Sequence, residues 1–139
     1  MTTLASSLIA ASAAVVFGLG LLHLVFTFHG PKLLPRDADL RTQMEQGTLV
    51  LTRETSVWRA WIGFNASHSL GAMLFGAIYG HLALAQPDVL ARSPYLLAVG
   101  AALLLGYAWL GRRYWFSVPF RGIVLSLALY ADGAVALLA

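Results

Sequence analysis

Cysteine is absent from the 139 residues of this chain, which excludes disulfides, thiolate metal sites and cysteine nucleophiles. Charge is also scarce, at 11% of the residues against 59% that are hydrophobic. A soluble domain carries about 25% charged residues, so this chain has too little charge to cover a globular surface in water. The composition indicates a membrane protein. The net charge of +3 forms no basic stripe, which argues against nucleic acid as a partner.

Four long apolar stretches account for most of the chain. They cover roughly residues 4–28, 57–85, 94–110 and 115–139. Each approaches the ~17–25 residues that a helix needs to cross about 30 Å of hydrocarbon. We therefore predict an all-α fold with one integral membrane domain, a bundle of four transmembrane helices. The first stretch follows no Lys or Arg and exceeds the length of a signal-peptide core, so it is predicted to be a retained helix.

Basic residues are distributed unevenly among the connections between the spans. Eight of the nine lie in or beside the first loop, residues 31–56, and the connection between the third and fourth spans. Arg92 stands alone in the second connection. Because cytoplasmic loops carry an excess of Lys and Arg, the two basic connections are predicted to be cytoplasmic. Both termini then lie on the extracytoplasmic side.

The first loop is predicted to contain a short helix between two spans. The segment RDADLRTQMEQG, residues 36–47, is typical of a helix that is capped by Asp37 and ended by Gly47. In LTRETS, Thr52 is predicted to cap the second span, with Glu54 in the first turn.

Polar side chains inside the first two spans raise the question of function, because ionisable residues are rare at membrane depth. His23 lies about 8–10 Å from the cytoplasmic end of its span, at 1.5 Å per residue. Asn65 lies about 12 Å into the second span and His68 one turn deeper, so the three reach similar levels of the inner leaflet. Thr27 shares a helix face with His23. If the two faces meet, these four side chains line one polar cavity.

Three interpretations of this polar group remain open. The first is interhelical hydrogen bonding, at about 0.6 kcal/mol each, in a non-catalytic accessory or assembly subunit. The second is a ligand site, in which His68 would be the general acid–base and Asn65 would position it if a reaction occurs. The third is haem held by His23 and His68 as axial ligands. No other metal site is predicted, since zinc requires about four ligands, and the cofactor is otherwise unknown.

The leading interpretation is an inner-leaflet cavity that binds an amphiphilic small molecule or a lipid. Arginines near the cytoplasmic ends of the spans would face the polar or anionic head, and aromatic side chains would hold the apolar part. The arginines are Arg59, Arg112, Arg113 and Arg121, the aromatic residues are Trp58, Trp61 and Phe75, and the orienting residues are His23, Thr27, Asn65 and His68.

Small residues recur four apart on two spans. Gly76-x-x-x-Gly80 on the second span would let another backbone approach closely. The face of the first span predicted to pack against it is Ala14-x-x-x-Gly18. This spacing also fits a homo-oligomer or a subunit of a membrane complex.

Three segments resemble a family of small four-span bacterial integral membrane proteins of uncharacterised activity. They are LHLVFTFHGPKLLPRD, LTRETSVWRAWIGFNASHSLGAMLFGAIYG and RRYWFSVPFRG. The likeness covers nearly the whole chain, and WRAWIGFNASHS is its most specific part. It implies four spans and a bacterial membrane, and it brings no activity. Together with the charge distribution, it predicts the bacterial inner membrane as the location, with both termini on the periplasmic side.

A looser resemblance, of layout alone, is to the membrane-associated eicosanoid and glutathione metabolism family. Those four-span proteins, often trimers, have a long cytoplasmic first loop and bind glutathione with an arginine, then an asparagine and a glutamate three apart, on the second helix. Asn65 corresponds to the asparagine, but His68 stands in place of the glutamate and Arg59 is spaced differently. Arg113 or Arg121 would correspond to the thiol-activating arginine if the fourth helix aligns. A shared layout does not establish a function.

Overall fold

The structure, a computed structural model, describes residues 2–138, and in this range the chain is helical apart from its loops and one isolated β-bridge. Four of the described helices are long and apolar enough to cross a membrane, which confirms the all-α class and the four helices of membrane-spanning length. The helices are α1 Thr2–Phe28, α2 Ala38–Gln46, α3 Val57–Ala85, α4 Pro87–Ala91, α5 Pro94–Tyr114 and α6 Ser117–Leu138; the membrane-length ones are α1, α3, α5 and α6.

The observed bounds differ from the predicted ones in the last two spans. Helix α5 continues to Tyr114 and not to residue 110, so that Arg112 and Arg113 belong to its last turn. Cations are favourable there because the last carbonyls of a helix carry partial negative charge. Helix α6 begins at Ser117, two residues later than predicted, and the predicted end of this span at Ala139 lies outside the described residues.

Helix α4, in the connection between the second and third spans, is absent from the sequence prediction. Pro87 occupies its first position, where a backbone N–H would have no partner within the helix, so proline costs no hydrogen bond there. Five residues are too few to show a helical period, which explains the omission. Leu90 is fully buried, so this connection packs against the helices. Helix α5 follows after Ser93, whose side chain accepts a hydrogen bond from the Leu96 N–H.

Contacts within the chain define two compact units, which are described separately. The unit called here the core unit takes the chain up to Leu19 and again from Ala72 onward. The unit called here the loop unit is Gly20–Gly71, which contains the end of α1, all of α2 and the start of α3.

The core unit depends on close approach of α1 and α3 at one glycine. A Cβ atom on Gly76 would lie 2.6 Å from the Phe17 Cβ and 2.7 Å from the Ala13 carbonyl oxygen. The prediction that Ala14 and Gly18 pack against this glycine is therefore wrong by one residue, since Ala13 and Phe17 make the contact. Ala14 is exposed, and a Cβ on Gly18 would meet no atom within 4 Å. Which of several small residues meets a glycine depends on helix rotation, which residue spacing alone does not determine.

Polar side chains buried in the core unit find partners within it. The hydroxyls of Tyr130 and Tyr79 donate to carbonyls in the first turn of α5, at 3.0 and 2.6 Å. The hydroxyls of Ser12 and Ser126 lie 2.7 Å apart, and both side chains are fully buried. Such pairing is required in hydrocarbon, where no water can satisfy a polar group.

In the loop unit, helix α2 begins and ends where the sequence predicts. The Asp37 side chain accepts a hydrogen bond from the Asp39 N–H at 2.9 Å, and Gly47 ends the helix with its N–H bonded to the Gln43 carbonyl. The Asp37 bond satisfies one of the N–H groups that have no partner within the first turn of a helix.

The predicted cap of the second span is wrong. Ser56 caps α3, because its Oγ accepts a hydrogen bond from the Arg59 N–H at 3.2 Å. Thr52 instead accepts from the Glu54 N–H within the loop. An isolated antiparallel bridge between Thr48 and Ser56 keeps the chain extended up to Ser56, which delays the start of the helix.

Candidate functional site

The loop unit contains a cluster of polar side chains on α1 and α3. The Nε2 atom of His23 lies 2.9 Å from Oδ1 of Asn65, and the rings of His23 and His68 meet edge to face with centroids 5.5 Å apart. Thr27 is buried and donates its hydroxyl to the His23 carbonyl at 2.8 Å. The structure therefore brings together three of the four predicted side chains, His23, Asn65 and His68, whereas the Thr27 hydroxyl bonds the backbone of its own helix.

The hydrogen bonds of Asn65 determine which atom of the His23 bond carries the proton. Asn65 Nδ2 donates to the Trp61 carbonyl oxygen at 2.8 Å, so the opposite atom, Oδ1, is the acceptor. His23 therefore donates from Nε2. In the neutral imidazole, Nδ1 of His23 then keeps its lone pair.

The cluster belongs to the membrane-length parts of the two helices. His23 precedes the last residue of α1, Phe28, by five residues, and Asn65 follows the first residue of α3, Val57, by eight. At 1.5 Å per residue these separations are about 7.5 and 12 Å. In hydrocarbon no water could bond these groups, so the pairing gives the His23 N–H an acceptor and the Asn65 side-chain oxygen a donor.

An apolar groove of about 320 Å³ is also part of the loop unit. Trp61 lines this groove, and its backbone carbonyl accepts the hydrogen bond from Asn65. Trp61 is thus shared by the groove and the polar cluster, whereas His23 and His68 do not line the groove. The predicted site is divided into an apolar part and a polar part that meet at Trp61. The residues that line the groove are Leu33, Leu34, Pro35, Leu40, Met44 and Trp61.

Two cations lie next in sequence to residues of the groove. The Lys32 ammonium lies 4.2 Å from the centre of the Phe26 ring, and the Arg41 guanidinium lies 5.1 Å from the centre of the Trp58 ring. Arg41 also pairs with Glu45 at 2.9 Å, with both side chains close to half exposed. Such an exposed pair contributes about 0–1 kcal/mol, so an anionic ligand could displace Glu45 at little cost.

The remaining predicted ligand residues are placed as follows. Arg59 is exposed in the first turn of α3. Arg112 and Arg113 are exposed in the last turn of α5, and Arg121 is exposed near the start of α6. Phe75 belongs to the core unit, where it is 3% exposed and stacks on a tyrosine one turn away with ring centroids 4.6 Å apart. Phe75 is therefore a packing residue in this structure.

The geometry of the two imidazoles does not fit axial ligation of a haem. In that arrangement the iron and the porphyrin lie between two rings whose nitrogens both point at the metal. Here the edge of one ring contacts the face of the other, and Nε2 of His23 is directed at Asn65. Among the residues that the structure describes, no three His, Asp, Glu or Cys side chains converge as a metal site would require.

Two parts of the site are missing from the sequence prediction. One is the apolar lining contributed by the first loop, for which the available signal is the four-residue spacing of Leu40 and Met44 on one side of α2. The other is Ser69, which is fully buried and donates its hydroxyl to the Asn65 carbonyl at 2.8 Å. A serine in an apolar helix often bonds the carbonyl one turn earlier, so its sequence position alone carries little signal.

Comparison of the chain with protein-family models, with curated proteins and with solved structures gives no match. The functional argument is therefore built on the residues and contacts described above.

Proposed function

We propose that this chain is a multi-pass membrane protein that binds an amphiphilic small molecule or a lipid through the loop unit. The apolar part of the ligand occupies the groove, and the cluster formed by His23, Asn65 and His68 orients a polar group of the same ligand. The observation that carries this proposal is the double role of Trp61, which lines the groove and accepts a hydrogen bond from Asn65.

The composition of the two parts supports an amphiphile over a purely polar ligand. Ligand sites typically measure about 300–1,000 Å³ and combine an apolar lining with a few placed polar groups. The groove has a volume of about 320 Å³ and six lining residues, none of them charged. Lys32 and Arg41 stand beside lining residues in the sequence and supply positive charge for an anionic or phosphate-bearing head.

Acid–base chemistry is the catalytic form of this proposal. The ring of His68 contacts the ring of His23, and His23 donates to Asn65, so the three side chains form a connected polar group. Histidine changes its protonation state near neutral pH more readily than any other side chain. If the ligand is transformed, His68 is the general acid–base and Asn65, acting through His23, is a positioning residue.

The location we propose is the bacterial inner membrane, with both termini on the periplasmic side. The support is the charge distribution: Lys32, Arg36, Arg41 and Arg53 lie between α1 and α3, and the connection between α3 and α5 carries Arg92 alone. Reporter fusions at the C-terminus test this orientation. A reporter that is active only in the periplasm should be active when it is fused to the C-terminus. Activity of a reporter that works only in the cytoplasm, fused at the same position, would show the opposite topology.

Ligand binding is tested by native mass spectrometry of the protein purified in mild detergent. The wild-type chain should carry a bound lipid or other amphiphile. Leu40→Asn places an amide in the groove, and the mass spectrum of this variant should lack the bound amphiphile. The matched control is Thr42→Asn, at an exposed position of α2 outside the groove lining, which should keep it. Equal retention by both variants would contradict the proposal.

A structural role for the polar cluster is the second candidate. It is favoured by the complete pairing of polar groups: among the described residues, no buried side-chain nitrogen or oxygen lacks a hydrogen-bond partner. The chain would then be a non-catalytic accessory or assembly subunit, a homo-oligomer or part of a membrane complex. In that case Asn65→Leu and His68→Leu would impair folding or assembly and leave the ligand mass of the folded fraction unchanged.

A further inference from the structure

The connection between α2 and α3 exposes two adjacent aliphatic side chains. Val50 and Leu51 have relative exposures of 110% and 91%, as in an isolated extended peptide. The antiparallel bridge between Thr48 and Ser56 closes the base of this segment. Residues 48–56, called here the anchor loop, therefore form a closed loop with an apolar tip.

The exposure of this tip in water is unfavourable. Burial of a Val or Leu side chain is favourable because it removes apolar surface from water. Single exposed aliphatic residues are common on protein surfaces, but here two consecutive ones stand at the tip of a loop whose base is closed. The base is closed a second time by the Val57 N–H, which donates to the Gly47 carbonyl at 2.9 Å.

We propose that the anchor loop inserts Val50 and Leu51 into the headgroup and upper acyl region of the leaflet beside which it lies. The loop ends at Ser56, and α3, one of the membrane-length helices, begins at the next residue. The bilayer is therefore the apolar phase nearest to the tip. Insertion by about 5–10 Å is the depth at which apolar side chains of interfacial segments are buried.

The charges beside the tip fit a bilayer that contains anionic lipid. Arg53 is exposed within the anchor loop, and Arg59 is exposed in the first turn of α3. Each cation is attracted to the negative surface of an anionic leaflet, whereas the neighbouring Glu54 is repelled by it. Two aromatic residues of α3, Trp61 and Phe64, are also exposed, and aromatic residues are enriched at the membrane interface.

Insertion would also fix the position of the groove. Helix α2, which supplies Leu40 and Met44 to the lining, ends at Gly47, directly before the anchor loop. With the tip held in the leaflet, α2 stays at the membrane surface, where amphiphiles are concentrated. This consequence rests on the proposed function, whereas insertion itself does not.

The absence of cysteine allows a single probe to be placed at the tip. Leu51→Cys, labelled with the environment-sensitive fluorophore NBD, is reconstituted into vesicles of phosphatidylcholine with phosphatidylglycerol. The label should show blue-shifted emission and be quenched at least twofold more strongly by nitroxide-bearing lipid than a label at Gln43→Cys, an exposed position of α2. Quenching equal to that of the control overturns the proposal. A blue shift without lipid quenching also overturns it, because the tip is then covered by protein.

A second variant tests whether the apolar tip causes the insertion. Val50→Asp, added to the labelled Leu51→Cys chain, should reduce lipid quenching to the level of the Gln43→Cys control, because a carboxylate at the tip opposes entry into the leaflet. Thr42→Asp, exposed on α2, should leave the quenching unchanged. Quenching that survives Val50→Asp contradicts the proposal. Ligand binding is measured separately, by native mass spectrometry of the wild-type chain and Leu40→Asn. Failure of insertion and failure of ligand binding are therefore distinguishable.

Discussion

At the scale of single residues, Asn65 connects the parts of the candidate site. It accepts from His23 and donates to the carbonyl of Trp61, a groove residue. Counting depth along the two spans predicts that His23 meets Asn65 because both helices rise 1.5 Å per residue from the same side. The double role of Trp61 cannot be predicted in that way, since the groove depends on how α2 packs beneath it.

Removal of the Asn65 amide tests the contact between α1 and α3. Asn65→Leu should lower the midpoint of thermal unfolding in detergent, because the His23 N–H loses its acceptor. In a double-mutant cycle with His23→Leu, the coupling energy should be about 0.6–1.7 kcal/mol, the range found for hydrogen bonds between membrane helices. Ser67→Ala is the control, because Ser67 is exposed and bonds only the carbonyl of its own helix at Phe64. Additive effects of the two substitutions would contradict the observed hydrogen bond.

Gly100 of α5 tests the packing of the core unit. A Cβ atom there would overlap the Tyr130 hydroxyl and lie 2.8 Å from Cε1 of Tyr79. Gly100→Ala should therefore lower the free energy of unfolding by about 1–3 kcal/mol, as overpacking does. Gly106→Ala lies in the same helix and meets no atom within 4 Å, so it should be neutral or stabilising by about 0.5–1 kcal/mol. Thermal unfolding of both variants checks this order, and equal stabilities would contradict the packing described.

At the scale of elements, the long helices are predictable and their ends are less so. Apolar length identifies all four membrane-length helices, and Asp37 with Gly47 correctly bounds α2. The start of α3 is predicted correctly, but its cap is wrong in the sequence prediction because Thr52 and Ser56 are both good caps, and only the bridge between Thr48 and Ser56 selects the second. A bridge between residues eight apart is a tertiary feature that local preference does not reveal.

The cap of α3 is tested by two alanine substitutions. Ser56→Ala removes the acceptor of the Arg59 N–H and should destabilise the protein by about 1 kcal/mol, the usual cost of a lost cap. Thr52→Ala should cost less, because the Thr52 hydroxyl bonds a loop N–H outside the helix. Chemical denaturation in detergent measures both free energies. A larger decrease in the free energy of unfolding for Thr52→Ala than for Ser56→Ala would indicate that Thr52 is the cap.

At the scale of the whole molecule, composition alone predicts the class of protein. With 11% charged residues and four apolar stretches, the chain can be covered by lipid but not by water. The site is less predictable than the class. The neighbours of His23 follow from helical geometry, whereas the groove is built by an irregular segment, Leu33 to Pro35, together with α2 and Trp61. No periodic pattern in the first loop specifies where those side chains converge.

The central claim, that the loop unit binds an amphiphile in its groove, is tested most directly by photolabelling in native membranes. A fatty acid that carries a diazirine at the end of its chain is crosslinked, and the labelled peptides are identified by mass spectrometry. We predict labelling concentrated at the groove residues from Leu33 to Met44 and at Trp61, with loss of that labelling in Leu40→Asn. Labelling spread evenly over the exposed apolar residues of α5 and α6, with no excess at the groove, would contradict the account.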